Sequence, residues 1–185
     1  QAAGSFPGSV QQKTAVYNKT LLGGMHHTLG LDDHFSIKTF ITGNRTVYAN
    51  PFITNYEKRE ETNYGAGTNL IYLTETANTS FQWMNGAEWL YNHSVISNFG
   101  NRSGMADTVQ FKDDIYARQW FAFSQAQYAI HEKWTFTAGL SLNNQSFRFR
   151  RLTDPDPFFA DRKISLVVTP RLAVLYRLTN NISLY

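Results

Sequence analysis

Strict alternation of apolar and polar residues runs through almost the whole chain, and no other feature limits the possible fold as much. In Lys163–Leu178 the even positions carry Ile164, Leu166, Val168, Pro170, Leu172, Val174, Tyr176 and Leu178, while Ser165, Thr169, Arg171 and Arg177 fall on odd ones. Trp134, Phe136, Ala138, Leu140 and Leu142 alternate with Thr135, Thr137, Gly139, Ser141 and Asn143. Phe81, Trp83, Ala87, Trp89 and Tyr91 alternate with Gln82, Met84, Gly86, Glu88 and Asn92. Neighbouring side chains on a strand point to opposite faces, so each stretch has one apolar and one mainly polar face. Weaker versions cover Thr20–Leu29, His34–Asn44, Thr62–Leu73 and Ile115–Ile130, and the alternation restarts at Ile182. The pattern predicts an all-β chain of seven strands and the start of an eighth, with no segment of helical period.

The connections say how those strands are arranged. Gly30–Asp33, Thr74–Asn78, His131–Lys133 and Thr179–Asn181 are short and rich in turn formers. The connections Arg45–Glu61, Ile96–Asp114 and Thr153–Arg162 are long, and short and long alternate without exception. Tight turns at one end and long excursions at the other are the pattern of an antiparallel transmembrane β-barrel. Composition agrees: charged residues are 17% and aromatic residues 15% of 185, with mean hydropathy -0.38. Few charges with many aromatic and neutral polar residues suit a wall with one apolar and one wet face. No apolar run approaches the ~18 residues of a membrane-spanning helix, and barrel strands hide their hydrophobicity in alternation.

Aromatic residues cluster near both proposed membrane boundaries. Trp134, Tyr128, Tyr72, Phe35 and Tyr176 lie toward the turns, and Trp120, Tyr116, Trp89 and Tyr91 toward the long connections. After Asn143-Asn144 the alternation slips, placing Phe147 and Phe149 on odd positions and Arg148 and Arg150 on even ones. A one-residue bulge there would keep the aromatics outward and turn the arginines toward the lumen. Alternatively, the strand has left the hydrocarbon and the face rule no longer binds. Pro170 lacks an N–H for the ladder, so an irregularity is expected at that position.

No catalytic arrangement emerges, and the chain reads as a non-enzyme without a cofactor or metal. His131-Glu132-Lys133-Trp134 lacks the second histidine of a zinc-protease helix, and Gly65-Ala66-Gly67 has no third glycine. His26 and His27 are strand neighbours that point apart. Asp154, Asp156 and Asp161 sit in a Pro-containing loop without the glycine or final glutamate of a calcium loop. There is no cysteine, and a net charge of +3 with scattered basic residues gives no case for nucleic acid. Asn-x-Ser/Thr triplets at Asn18, Asn92 and Asn101 are what a chain rich in these residues produces by composition. The one suggestive cluster is Arg148, Arg150 and Arg151 interleaved with Phe147 and Phe149. It reads either as a wall whose arginines pair with Asp154 or Asp161, or as a funnel for an anionic, partly apolar iron chelate. Arg118, Arg102, Arg45 and Tyr48, near loop ends, are further candidates of the same kind.

"VYNKTLLGG", "NPFITNYEKREETNYGAGTNLIY", "QWMNGAEWLYN" and "TPRLAVLYRLTNNISLY" resemble the barrel of TonB-dependent outer-membrane receptors, most closely siderophore receptors of the ferric-citrate type found in Bacteroidetes. The likeness implies that residues 1–185 are part of the barrel domain of a larger, 22-stranded barrel. The plug domain and the TonB box would lie elsewhere. It implies a bacterial outer-membrane protein importing ferric siderophores, with the TonB complex, outer-membrane lipid and an iron chelate as partners. On that reading Tyr185 is a cut, since Ile182–Tyr185 is shorter than the ~9–11 residues of a crossing strand. Two competing readings are a passive porin or small eight-stranded barrel, and a soluble sandwich or calyx with its apolar faces inward.

Overall fold

The computed structural model describes residues 8–179 and 181–185; Asn180, inside the expected turn Thr179–Asn181, lies outside them. The described chain is one antiparallel sheet: β1 (Tyr17–Gly30), β2 (Phe35–Pro51), β3 (Asn55–Glu75), β4 (Thr79–Arg102), β5 (Met105–Ile130), β6 (Trp134–Arg151), β7 (Ala160–Lys163), β8 (Val167–Thr179) and β9 (Ile182–Leu184). Each strand pairs with the next in sequence, except that β7 and β8 lie one after the other along β6. The seven expected strands are therefore β1 to β6 plus a seventh broken into β7 and β8, and β9 begins the eighth. The sheet is open, with β1 and β9 at its edges.

Register separates the two faces. Phe35, Tyr72 and Trp83 follow one another across β2, β3 and β4, and Phe81, Tyr128, Phe136 and Val174 across β4, β5, β6 and β8. All of these belong to one face, which also carries Tyr64, Trp89, Trp120 and Leu172. The opposite face carries Gln82, Glu88, Gln119, Gln125, Gln127 and Arg171. Among the described residues no large hydrophobic side chain is buried, and Leu172 is 84% exposed. A single sheet cannot bury its own apolar face; it must be covered by something apolar, and in a membrane barrel that is lipid. The aromatic-bearing face is thus the lipid face and the polar one the lumenal face.

The aromatic spacing measures the membrane. Tyr64 and Tyr72 on β3, Trp83 and Tyr91 on β4, and Trp120 and Tyr128 on β5 are each eight residues apart on the lipid face. At ~3.3 Å per residue this is roughly 26 Å of strand, close to the ~9–11 residues needed to cross a bilayer. Within the band Trp83 satisfies its indole N–H on Ser124 Oγ at 3.0 Å, as a polar atom facing hydrocarbon must. On the lumenal face glycines make room for rings. A Cβ on Gly67 would lie 2.5 Å from the Phe40 ring, and one on Gly86 2.3 Å from the Phe123 ring, each the ring of its cross-strand partner.

At the turn end the strands stop within a few residues of the band. Asp32 closes the β1–β2 turn by accepting the backbone N–H of His34 at 2.8 Å and of Phe35 at 2.7 Å. Those two donors hold its carboxyl below the usual carboxylate range. Thr76 and Thr179 do the same for the β3–β4 and β8–β9 turns with their hydroxyls, while the β5–β6 turn uses His131 and Glu132 at positive φ. At the other end the sheet goes on. Much of the connections expected to be long is ladder: β2 and β3 pair out to Pro51↔Tyr56, and β4 and β5 out to Arg102↔Met105. The β4–β5 tip is only Ser103-Gly104, both at positive φ (52° and 86°), as a two-residue hairpin turn requires. Residues 8–16 fold back over these tips. Asn101 Nδ2 donates to Gln12 O at 2.8 Å and to Phe52 O at 2.6 Å, and its Oδ1 accepts from Gly104 N at 2.8 Å.

Two local expectations are corrected. β6 carries no bulge at Asn143-Asn144: its register with β5 is continuous from Trp134 to Arg151. The extra residue is on the partner, where β6 advances three positions from Asn143 to Ser146 while the neighbour covers four from Val167 to Lys163. Nor does Pro170 break the ladder. Leu140↔Pro170 stays in register with β6, and β9 reaches only as far as Tyr176 on the other edge, so no described bond needs the missing N–H.

Candidate functional site

The lumenal face changes character where the strands leave the band. Asn44, Asn63 and Asn92 occupy successive cross-strand positions on β2, β3 and β4 and form a transverse amide ladder. Asn63 Nδ2 donates to Asn44 Oδ1 at 2.8 Å, Asn92 Nδ2 to Asn63 Oδ1 at 2.7 Å, and Ser94 Oγ to Asn92 Oδ1 at 3.0 Å. Side-chain amides can both donate and accept, so such a row satisfies itself and still presents polar atoms to a solute. Farther from the membrane the face becomes charged. Arg59 pairs with Glu57 and lies 5.2 Å above the Tyr48 ring. Arg151 donates to Asp113 at 2.9 and 3.2 Å and sits 4.9 Å from the Phe111 ring centre. The bond to Asp113 raises the Arg151 pKa further, so that cation is permanent. Both side chains remain substantially accessible, 41% for Arg59 and 50% for Arg151.

The lipid face beyond the band holds a different cluster. Asp114 is 4% exposed and accepts from His93 Nε2 at 2.8 Å through one oxygen and from Arg150 Nε at 3.0 Å through the other. The His93 ring stacks on Tyr116 at 4.4 Å and 7°. Burial, and then the nearby Asp114 carboxylate, raise the Tyr116 phenol above its ordinary pKa. Phe159, from the segment before β7, lies 4.3 Å from the guanidinium carbons of both Arg148 and Arg150. Arg148 also approaches Asp161 at 4.0 Å.

The seven residues singled out from the sequence do not form one site. Because β6 has no bulge, Arg148 and Arg150 stay on the face of Trp134 and Phe136, facing away from the lumen, and Phe147 and Phe149 take the lumenal side. Arg118 and Arg45 share the lipid face, the latter pairing with Glu60 at 3.3 Å. Arg151 and Tyr48 are lumenal, and Arg102 is at a hairpin tip, 2.8 Å from Asp107. His26 and His27 point to opposite faces, opposite Phe40 and Thr39. Sequence reading missed Arg59, Asp114 and the asparagine ladder. A signal for the ladder was present: Asn44, Asn63 and Asn92 fall at matching points of three predicted strands, once the hairpins are folded about their tips.

A model of the TonB-dependent receptor-like β-barrel family matches residues 3–185. No curated protein shares detectable sequence similarity with the chain. Among solved structures, the ferric citrate transporter FecA in its unliganded form superposes with a TM-score of 0.69 at 12% identity, over 90% of this chain and 26% of that one. The siderophore receptor PiuA of Acinetobacter baumannii gives 0.72 at 10% identity, over 92% and 32%. The ferric-catecholate import receptor Fiu of Escherichia coli K12 gives 0.67 at 10%, over 91% and 32%. The chain therefore spans about a quarter to a third of these receptors' length. With the paired aromatic rows, the tight turns at one end and the zipped hairpins at the other, this match makes the chain a segment of the β-barrel of a TonB-dependent receptor.

Proposed function

We propose that the receptor containing this segment imports a ferric siderophore across a bacterial outer membrane, using energy delivered through TonB to parts of the protein beyond this chain. The observation that carries the reading is the pair of lumenal arginine–aromatic sites, Arg59 over Tyr48 and Arg151 over Phe111, beyond a neutral amide ladder. A guanidinium backed by a ring offers a flat cationic surface with free N–H groups, suited to the carboxylate or catecholate oxygens of an iron chelate. The ladder below it supplies polar contacts without trapping charge. The similarity to receptors named for ferric citrate and ferric catecholates supports the same ligand class. Of the residues first singled out, Tyr48, Arg151 and Arg102 remain ligand candidates, joined by Arg59. Arg45, Arg118, Arg148 and Arg150 do not, since they lie on the other face.

The test is equilibrium binding of ferric citrate and of a ferric catecholate to the whole receptor. Arg59→Ala with Arg151→Ala should weaken at least one of these anionic chelates about tenfold or more, the loss of a charge-assisted hydrogen bond or two. Arg148→Ala with Arg150→Ala should leave both affinities within about twofold. If the first pair of substitutions changes neither affinity, this ligand class is the wrong one for these sites.

A further inference from the structure

Three cations stand on the lipid face at the outer edge of the aromatic band, where Arg118 is the cross-strand partner of Tyr91. Arg118, Ser146 and Lys163 are cross-strand neighbours on β5, β6 and β7, and Arg148 is the next residue on that face of β6. Arg118 follows Trp120 by one step on the same face, about 6–7 Å along the strand. Arg118 and Lys163 are exposed and take part in no ion pair among the described residues. The opposing acid here is Asp161, which at 4.0 Å engages Arg148 rather than the other two. Nearby acids are already occupied: Asp114 is held between His93 and Arg150, and Glu60 pairs with Arg45.

We infer that this row is a binding site for a phosphate-bearing lipid headgroup in the leaflet at the long-hairpin end. Immediately beyond the aromatic band the surroundings of the wall are headgroups rather than bulk water, so an unpaired cation meets lipid phosphate first. Arg118 and Lys163 are two strand spacings apart, about 9–10 Å at their Cα atoms, a span their long side chains can close upon a single phosphate. The Ser146 hydroxyl lies between them as a neutral donor. Arg148 is held by Phe159 stacking and adds charge from the side away from the membrane. Arg118 can lay its chain between Tyr91 and Trp120 while its head reaches the headgroup layer.

The experiment uses the whole receptor in nanodiscs of phosphatidylcholine containing phosphatidic acid, with retained phosphatidic acid counted by native mass spectrometry across a titration. Arg118→Gln with Lys163→Gln should weaken retention about thirtyfold, equivalent to about 2 kcal/mol. Either substitution alone should cost about fivefold, which keeps the test readable if the double variant folds poorly. Arg45→Gln, a lipid-face arginine already neutralised by Glu60, should change retention less than twofold. Retention unaffected by the double substitution in a folded barrel would overturn the assignment. So would displacement of the lipid by inorganic phosphate at comparable concentration, which would make this a site for a free anion rather than a headgroup.

Discussion

Between Tyr64 and Tyr72 the lumenal face of β3 carries Gly65, Gly67, Asn69 and Ile71; between Asn55 and Glu61, farther up the same strand, it carries Asn55, Glu57, Arg59 and Glu61. The whole wall shares this division. All seven ion pairs among the described residues lie on the long-hairpin side of the row Tyr64, Tyr91 and Trp120. Inside the band the lumenal face is built mainly from glycines, rings and amides, with Phe40 and Phe123 folded over Gly67 and Gly86, and its few charges, Lys38, Glu88 and Arg171, are in no ion pair among the described residues. The difference follows from solvent. Hydrocarbon on one side fixes every strand's register through its aromatic rows, so the lumenal side needs only shape. Above the membrane both faces are wet, the face rule weakens, and paired charges and tip contacts must hold the hairpins together.

That contrast can be broken most severely at its best-buried charge. Asp114→Ala should destabilise the upper wall by about 3 kcal/mol, since it strands His93 and Arg150 beside a site that was 4% exposed. Hydrogen exchange of β5 and β6 above Trp120 should rise while the band stays protected; an equal rise in both would show that the two regions unfold as one. Next in size is Gly86→Ala, where the new methyl overlaps the Phe123 ring and Asn69. Overpacking there should cost about 2 kcal/mol in denaturant titrations of the lipid-folded receptor, and Phe123→Leu in the same chain should restore most of it. Asn63→Ala cuts two bonds of the ladder and should cost about 1 kcal/mol, with chelate binding altered more than stability.

The smallest effect belongs to the turn end. Because the backbone donors of His34 and Phe35 lower the Asp32 pKa in the folded chain, its stabilisation is complete above the ordinary carboxyl pKa of about 4 and fades as pH falls through the lowered value. Asp32→Ala should therefore flatten the acid limb of the stability profile by slightly lowering the neutral plateau, with the two proteins converging at the most acidic pH. A difference that persisted unchanged at the most acidic pH would assign the effect to something other than this carboxylate.

Strand number, the tight turns at one end and the aromatic rows were legible in the sequence, because hydrocarbon enforces a period of two; the long connections expected at Arg45–Glu61 and Ile96–Asp114 are instead mostly ladder. Legibility stops where the hydrocarbon does. The slip after Asn143 looked like a bulge in β6, but the pattern of one strand cannot say whether it or its neighbour holds the extra residue; β8 and β7 hold it, at Ile164–Leu166. The consequence was a reversed face for Arg148 and Arg150. Asp114 was invisible for a related reason: its partners His93 and Arg150 are brought to it only by the registers of two different hairpins.

Asn101 first drew notice as part of an Asn-x-Ser triplet, yet all of its amide is spent on backbone groups from three separate stretches of chain. It works as a clasp between the β2–β3 tip, the β4–β5 tip and residues 8–16. Neither hairpin can swing across the mouth of the barrel by itself: the β2–β3 tip would give up the bond at Phe52 O, and the β4–β5 tip both bonds of the Asn101 Nδ2 group. Strands β2 to β5 therefore act as one stiff panel at their tips, while the segment between β6 and β7 is tied separately, by Leu152 N–H donating to Lys112 O at 2.6 Å and by Phe159 against Arg148 and Arg150.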